Sequence, residues 1–158
     1  MAYWLIKSEG SCYSIDDLVH DKRTTWTGIR NFQARNYMRD GMKVGELTFF
    51  YHSSGTSKDP SGIYGIAKIV DAAHVDETAL DPKDEHYDPK AANYQNEPLW
   101  VAVDVEFVKK FPQPILLADL KKDKALSKML VLQRGQRLSV MPVEKGEWER
   151  VMEKINML

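Results

Sequence analysis

Cysteine is almost missing from this chain. Cys12 is the single one in 158 residues, so an internal disulfide is excluded and the core must hold by packing. Long apolar runs are missing as well. No stretch approaches the roughly 20 apolar residues that cross a bilayer, and no membrane partner is expected. The opening MAYWLIKSEG has no basic segment before its apolar run, unlike a secretory leader. A cytoplasmic location, or a nuclear one in a eukaryote, is the expectation. The patterns GxxxxGK(S/T), GxGxxG and GxSxG do not occur, which removes glycine-rich phosphate cradles and the usual serine nucleophile elbow. His20, His52, His74 and His86 are scattered and make no ligand spacing with Cys12. Neither a metal nor an organic cofactor is expected.

What remains is the composition of one domain spanning 1–158, with 43% hydrophobic and 28% charged residues. A chain of this length buries roughly 70% of its unfolded surface and needs no covalent staple. Net charge is near zero, but its distribution is uneven. Lys22, Arg23, Arg30, Arg35, Arg39 and Lys43 face a single acid, Asp40, in their stretch, whereas the segment from Asp71 to Glu97 is strongly acidic. A local basic field can attract a polyanion while the whole molecule stays neutral. Chance clustering of surface charge gives the same pattern.

Periodicity supplies the elements. AYWLIK at 2–7 predicts a first strand. Ser14 before IDDLVHD, with Asp17 three residues on, predicts a capped helix. RTTWTG reads as a turn, and NFQARNYMRD as a helix starting near Asn31 and ending before Gly41. GELTFFYHS, IYGIAKIV and PLWVAVDVEFVKKF alternate as strands, with Leu99, Val101, Val103, Val105 and Phe107 on a core face and Trp100 on the other. The glycine at 65 marks a bulge, a close backbone approach or a simple bend. Residues 71–97 read as a long polar connection, 116–130 as short helices and RLSVMPV as a last strand ending at Pro142. Trp148, Val151, Met152 and Ile155 form the apolar stripe of a terminal helix. About five or six mostly antiparallel strands with short flanking helices indicate an α+β fold, curled into a small β-barrel rather than doubly wound.

The stretch WTGIRNFQARNYMR concentrates an indole, amides and guanidiniums. A nucleobase site uses such groups: a flat ring stacks on an aromatic side chain, and its polar edge meets fixed donors and acceptors. Arginines alongside hold phosphates. Trp26, Trp100 and Tyr64 are candidate stacking platforms, Asn31, Gln33, Asn36 and Ser53 candidate readers of the base edge, and Arg35 and Arg39 candidate phosphate contacts. Each has an ordinary structural use too, a lone Trp above all as a core residue.

YWLIKSEG, YSIDDL, WTGIRNFQARNYMRDGMKVGELTFFYHS, GIYGIAKIV, EPLWVAVDVEF and QRLSVMPV, in that order, resemble the EVE domain family in its stand-alone form, over essentially the whole chain. The resemblance implies a PUA-like β-barrel and a module that reads a modified base in DNA or RNA; a non-catalytic role and a monomer are the accompanying expectations. Carried over residue by residue, the family's pocket wall corresponds to Lys7, Ser8 and Glu9, then Trp26, Gly28, Arg30, Asn31, Gln33, Ala34, Arg35 and Asn36. His52 and Ser53, Trp100, and Arg137, Leu138 and Ser139 complete it, with Arg30 and Arg137 joining Arg35 and Arg39 at a basic rim. Two positions depart from the pattern: Gly10 stands where the family has proline, and Met141 where it has threonine. Two other readings stay open. One is an enzyme acting on a modified nucleoside, as in some ASCH relatives, with Lys7 and Glu9 as its acid–base pair; the other is a site for a small molecule or a protein.

Overall fold

The computed structural model describes residues 1–94, 96–135 and 137–157. The first strand, β1 (Tyr3–Ser8), runs through the core, with Leu5 and Ile6 wholly buried. It pairs in parallel with β3 (Leu47–His52) and antiparallel with β6 (Val140–Val143). Two long strands extend the sheet: β4 (Gly62–Val75) runs antiparallel to β3, and β5 (Val101–Leu116) antiparallel to β4. The remaining strand, β2 (Arg23–Trp26), pairs with β5. The order is β2-β5-β4-β3-β1-β6, a single mostly antiparallel sheet with β2 and β6 as its edges.

Helices fill the connections. Helix α1 (Ile15–Asp21) has the expected capping box, with the Asp17 N–H donating to Ser14 Oγ at 3.1 Å and the Ser14 N–H to Asp17 Oδ2 at 2.8 Å. Helix α2 (Phe32–Asn36) begins at Asn31 and runs directly into a π-helical turn, Tyr37–Gly41. Gly41 therefore lies inside the turn rather than past it; a Cβ there would meet the Trp4 indole at 2.7 Å. Helix α3 (Leu117–Lys122) follows β5, and α4 (Lys145–Asn156) closes the described chain. Among the described residues no helix is long and apolar enough to cross a membrane.

Packing explains the strand patterns. Both faces of β3 are covered: Phe49 stacks on Trp148 of α4 (3.8 Å between centroids), while Phe50 meets Trp26 edge-on at 5.5 Å. The terminal stripe is a core face, with Trp148, Val151 and Ile155 buried. Gly65 is a point of close approach as well as a bulge. A Cβ on it would strike the Lys109 carbonyl and the Ile15 side chain, so α1 sits tight on the sheet.

The structure corrects four further expectations. RTTW is a strand, not a turn: Thr24 and Trp26 point inward, and the run pairs with Val105 and Val103 some eighty residues on. Residues 71–75 continue β4, held through two register shifts opposite Asp104 and Val101, so the polar connection starts only at Asp76. The last strand ends at Val143, not at Pro142, which is tolerated because β6 is an edge. Trp100, expected on a polar face, is buried in a second small cluster with Ala79, Ala91 and Leu99.

Candidate functional site

A cavity of about 410 Å³ lies between the edge strand β2 and the end of β1 with the residue just before β6. From one side come Thr24, Thr25 and Trp26 of β2, continued by Thr27, Gly28 and Ile29. From the other come Lys7 and Ser8 at the end of β1, and Ser139 just before β6. Cys12 and Tyr13 contribute from the following loop, and His86 from the connection after β4. The volume falls within the roughly 300–1,000 Å³ of small-ligand sites.

The lining is hydroxyl-rich, carries one ammonium and includes no carboxylate. Burial pushes Lys7 below the ordinary lysine range, and its Nζ lies 5.6 Å from the Tyr51 ring centroid. Tyr13 is pushed up to about 12, by burial first and then by its hydrogen bond to Asp21, so it remains a neutral phenol. Trp26 is 8% exposed, braced by edge contacts to Phe50 and Tyr13. Its indole thus forms a fixed wall.

One buried carboxylate organises the wall just beyond Trp26. Asp76 Oδ2 accepts the Gly28 N–H at 2.9 Å and the Arg30 guanidinium at 3.0 Å, while Oδ1 accepts the Thr78 N–H at 2.9 Å and its hydroxyl at 2.6 Å. Burial alone would raise this acid, but those donors hold it below the ordinary carboxylate range. Arg30 also donates twice to the His86 carbonyl, at 3.0 and 2.8 Å. The result seats the His86 ring against Gly28. That glycine has φ +82°, and a Cβ on it would lie 2.9 Å from His86 Nε2, so two requirements exclude a side chain.

Five sequence candidates thus share this cavity: Lys7, Ser8, Trp26, Gly28 and Ser139. The structure puts the others elsewhere. Asn31 caps α2, accepting the Ala34 N–H at 3.0 Å, and Ala34 is buried beneath it. Gln33 reaches the Tyr37 hydroxyl at 3.3 Å and Asn36 accepts from Arg35, both on the exposed side of the helix. Glu9 is exposed, its carboxylate accepting from Cys12 Sγ at 3.6 Å rather than lining the cavity. Ser53 extends the pairing of β1 with β3, its N–H donating to the Ser8 carbonyl at 2.9 Å. Leu138 packs in the core, and Arg137 is exposed.

Trp100 does not face Trp26 across a common space. Its indole N–H donates to Asp88 at 2.8 Å, and its ring stacks on Phe32. Two members of the basic stretch are answered by the acidic one: Arg30 pairs with Asp76, and Arg39 with Glu97 as well as its neighbour Asp40. Two clusters that look independent along the chain are partners in space.

His52 and Tyr64 belong to a second hollow of about 600 Å³ on the far side of the loop at 9–14. The Ile15 N–H donates to His52 Nε2 at 3.1 Å, which places the ring proton on Nδ1, 2.8 Å from Asp59 Oδ1. Both nitrogens are used, so His52 ties the start of α1 to the loop at 53–61. Tyr64 stacks on it at 3.7 Å. Gly10 is explained here too. The Asp59 carboxylate packs directly on it, and its N–H donates to Ser54 Oγ at 2.9 Å, an arrangement proline could not make.

Cys12, Tyr13, Thr24, Thr25, Thr27, Ile29 and His86 were missed by sequence reasoning. A small signal existed for the threonines, β-branched neighbours of Trp26; for His86, placed by contacts nearly sixty residues apart, there was none.

Fold and site together define a class: a single α+β domain whose open, six-stranded, mostly antiparallel sheet holds a cavity beside its edge strand β2. The chain belongs to the EVE domain family, whose model matches residues 2–154. It is 41% identical to human thymocyte nuclear protein 1 over 169 residues, covering 96% of this chain and 72% of that protein. A crystal structure of a Pseudomonas syringae protein superposes with a TM-score of 0.90 at 42% identity, covering 98% of this chain and 99% of that one. The crystal structure of human THYN1 protein in complex with 5-methylcytosine-containing DNA superposes with a TM-score of 0.87 at 37% identity, covering 98% of each chain.

Proposed function

We propose that this protein is a non-catalytic nucleic-acid-binding module that receives one modified base, 5-methylcytosine or a base of similar shape, in the cavity between β2 and the end of β1. The observation that carries the reading is the cavity itself: an indole wall, a hydroxyl-rich lining and one unneutralised ammonium, with no carboxylate. Trp26 supplies the stacking surface. The threonine and serine hydroxyls supply donors or acceptors as the base edge requires, and Lys7 donates to a base carbonyl or to the phosphate beside it. Support comes also from the relative solved with 5-methylcytosine-containing DNA. The amidohydrolase reading gains no support, because Lys7 lines the cavity and Glu9 does not.

The test is fluorescence anisotropy on matched oligonucleotides, single- and double-stranded, with cytosine or 5-methylcytosine at one position. Wild type should prefer a modified form. Trp26→Ala should weaken binding about 5- to 150-fold, since stacking on an aromatic side chain contributes roughly 1–3 kcal/mol per base. Equal affinity for modified and unmodified forms, or a Trp26→Ala variant that binds as wild type does, refutes the assignment.

A further inference from the structure

Phe32 is the surface feature that packing explains least. It opens α2 and is 56% exposed, a position where a polar residue would serve the helix as well. Yet the ring is held firmly. It stacks on Trp100 with centroids 4.8 Å apart and planes 21° apart, and the Arg35 guanidinium lies 4.8 Å from its centroid. Trp100 is itself anchored by Asp88 and covered by Arg30. The chain thus presents an immobilised apolar ring to solvent.

Charge is a second, independent observation. Arg30 and Arg39 have carboxylate partners. Arg35 does not: its hydrogen bonds go to Asn36 Oδ1 and the Leu99 carbonyl, both neutral. Among the described residues no carboxylate forms an ion pair with it, and its charge reaches Asp40 only through space, an acid already paired with Arg39. Position is the third. Ile29 lines the cavity, and three residues of chain reach at most about 11 Å, the span of about three bases at 3.4 Å per step.

We infer that Phe32 and Arg35 form the DNA-facing half of the reader: Phe32, one face held on Trp100, offers its free face to a base left unstacked beside the one withdrawn, while Arg35 holds a phosphate there. This rests on the base-receiving function proposed above. Removing a base from a duplex breaks its stacking on both neighbours, and an apolar side chain inserted at that step replaces part of it. A rigid ring serves this better than a mobile one, because little conformational freedom is lost on insertion. The partner so defined is double-stranded DNA, since a lone nucleotide leaves no unstacked neighbour.

The experiment compares wild type, Phe32→Ala, Phe32→Tyr and Arg35→Gln as full chains. Ligands are a duplex with one central 5-methylcytosine, its unmodified counterpart, and 5-methyldeoxycytidine monophosphate. The mononucleotide is followed by the NMR shift of the Trp26 indole N–H. Phe32→Ala should weaken the modified duplex tenfold or more and leave the mononucleotide unchanged, and Phe32→Tyr, which keeps the Trp100 stack, should restore the duplex. Arg35→Gln should reduce the slope of log affinity against log salt by about one. If wild type selects the modified duplex and Phe32→Ala does so equally well, the inference fails while the base-receiving function stands. Equal losses for duplex and mononucleotide also overturn it, because Phe32 then acts through the cavity. A wild type that ignores the modification removes the function itself.

Discussion

Replacing Asp76 by asparagine changes one atom and tests whether a single buried acid holds the cavity wall. Each carboxylate oxygen accepts two donors, Gly28 N–H and Arg30 on one side, Thr78 N–H and hydroxyl on the other. Asparagine keeps one oxygen. Its amide nitrogen must face the donors of the other side, and the charge that neutralises Arg30 is gone. Removing one member of a buried ion pair costs about 3–5 kcal/mol. Arg30 is 23% exposed, so some water reaches it, and the low end, about 3 kcal/mol, is expected. For a domain of this size that lowers the melting temperature by roughly 6–12 °C. Because Gly28 and His86 are positioned through the same node, binding of a modified duplex should fall with stability, even well below the melting point. Calorimetry on both proteins, with anisotropy at 15 °C, measures the two effects. A melting temperature within about 3 °C of wild type together with unchanged affinity would show that the wall stands without this acid.

Lys7→Met should separate binding from stability. Its ammonium is partly desolvated with no carboxylate among the lining residues, so the variant should melt no lower than wild type while binding the modified duplex at least tenfold more weakly; a lower melting point with unaltered binding contradicts this. His74 should set a pH slope. Burial works against its charged form, but the hydrogen bond to Asp104 at 3.0 Å raises its pKa overall. Its stabilisation is complete below the unfolded value, about 6.5, and is lost as pH rises through the folded one. Melting temperatures from pH 6 to 9 should therefore decline in wild type and flatten in His74→Gln; parallel curves would dismiss the pair.

Local patterns were legible where the stabilising contacts were local. The Ser14–Asp17 box and the Trp148 stripe are each complete within about a dozen residues, and both took the expected form. β2 was not legible, because four residues with two threonines have little signal until a distant strand pairs with them. The site divides in the same way. Trp26, Gly28, Lys7, Ser8 and Ser139 meet in one cavity, as a motif spread over the chain led one to expect. Arg30, Arg39 and Trp100 were read as ligand contacts because their partners, Asp76, Glu97 and Asp88, lie in a segment whose fold no periodicity announces. Unpaired-looking polarity in a sequence is evidence of a ligand only after long-range partners have been counted.

A ladder that closed on itself would resist any change of girth, since widening it would break a column of backbone hydrogen bonds. Here β2 and β6 do not pair among the described residues, and beside them the cavity is lined by side chains of β2, of the end of β1 and of the loop that follows it. The two margins can therefore breathe apart by roughly an ångström, within ordinary loop motion, with every strand pairing intact. Admission of a bulkier substituent on the base would then be limited by elasticity rather than by a hard wall, and amide exchange should be fastest along those two margins.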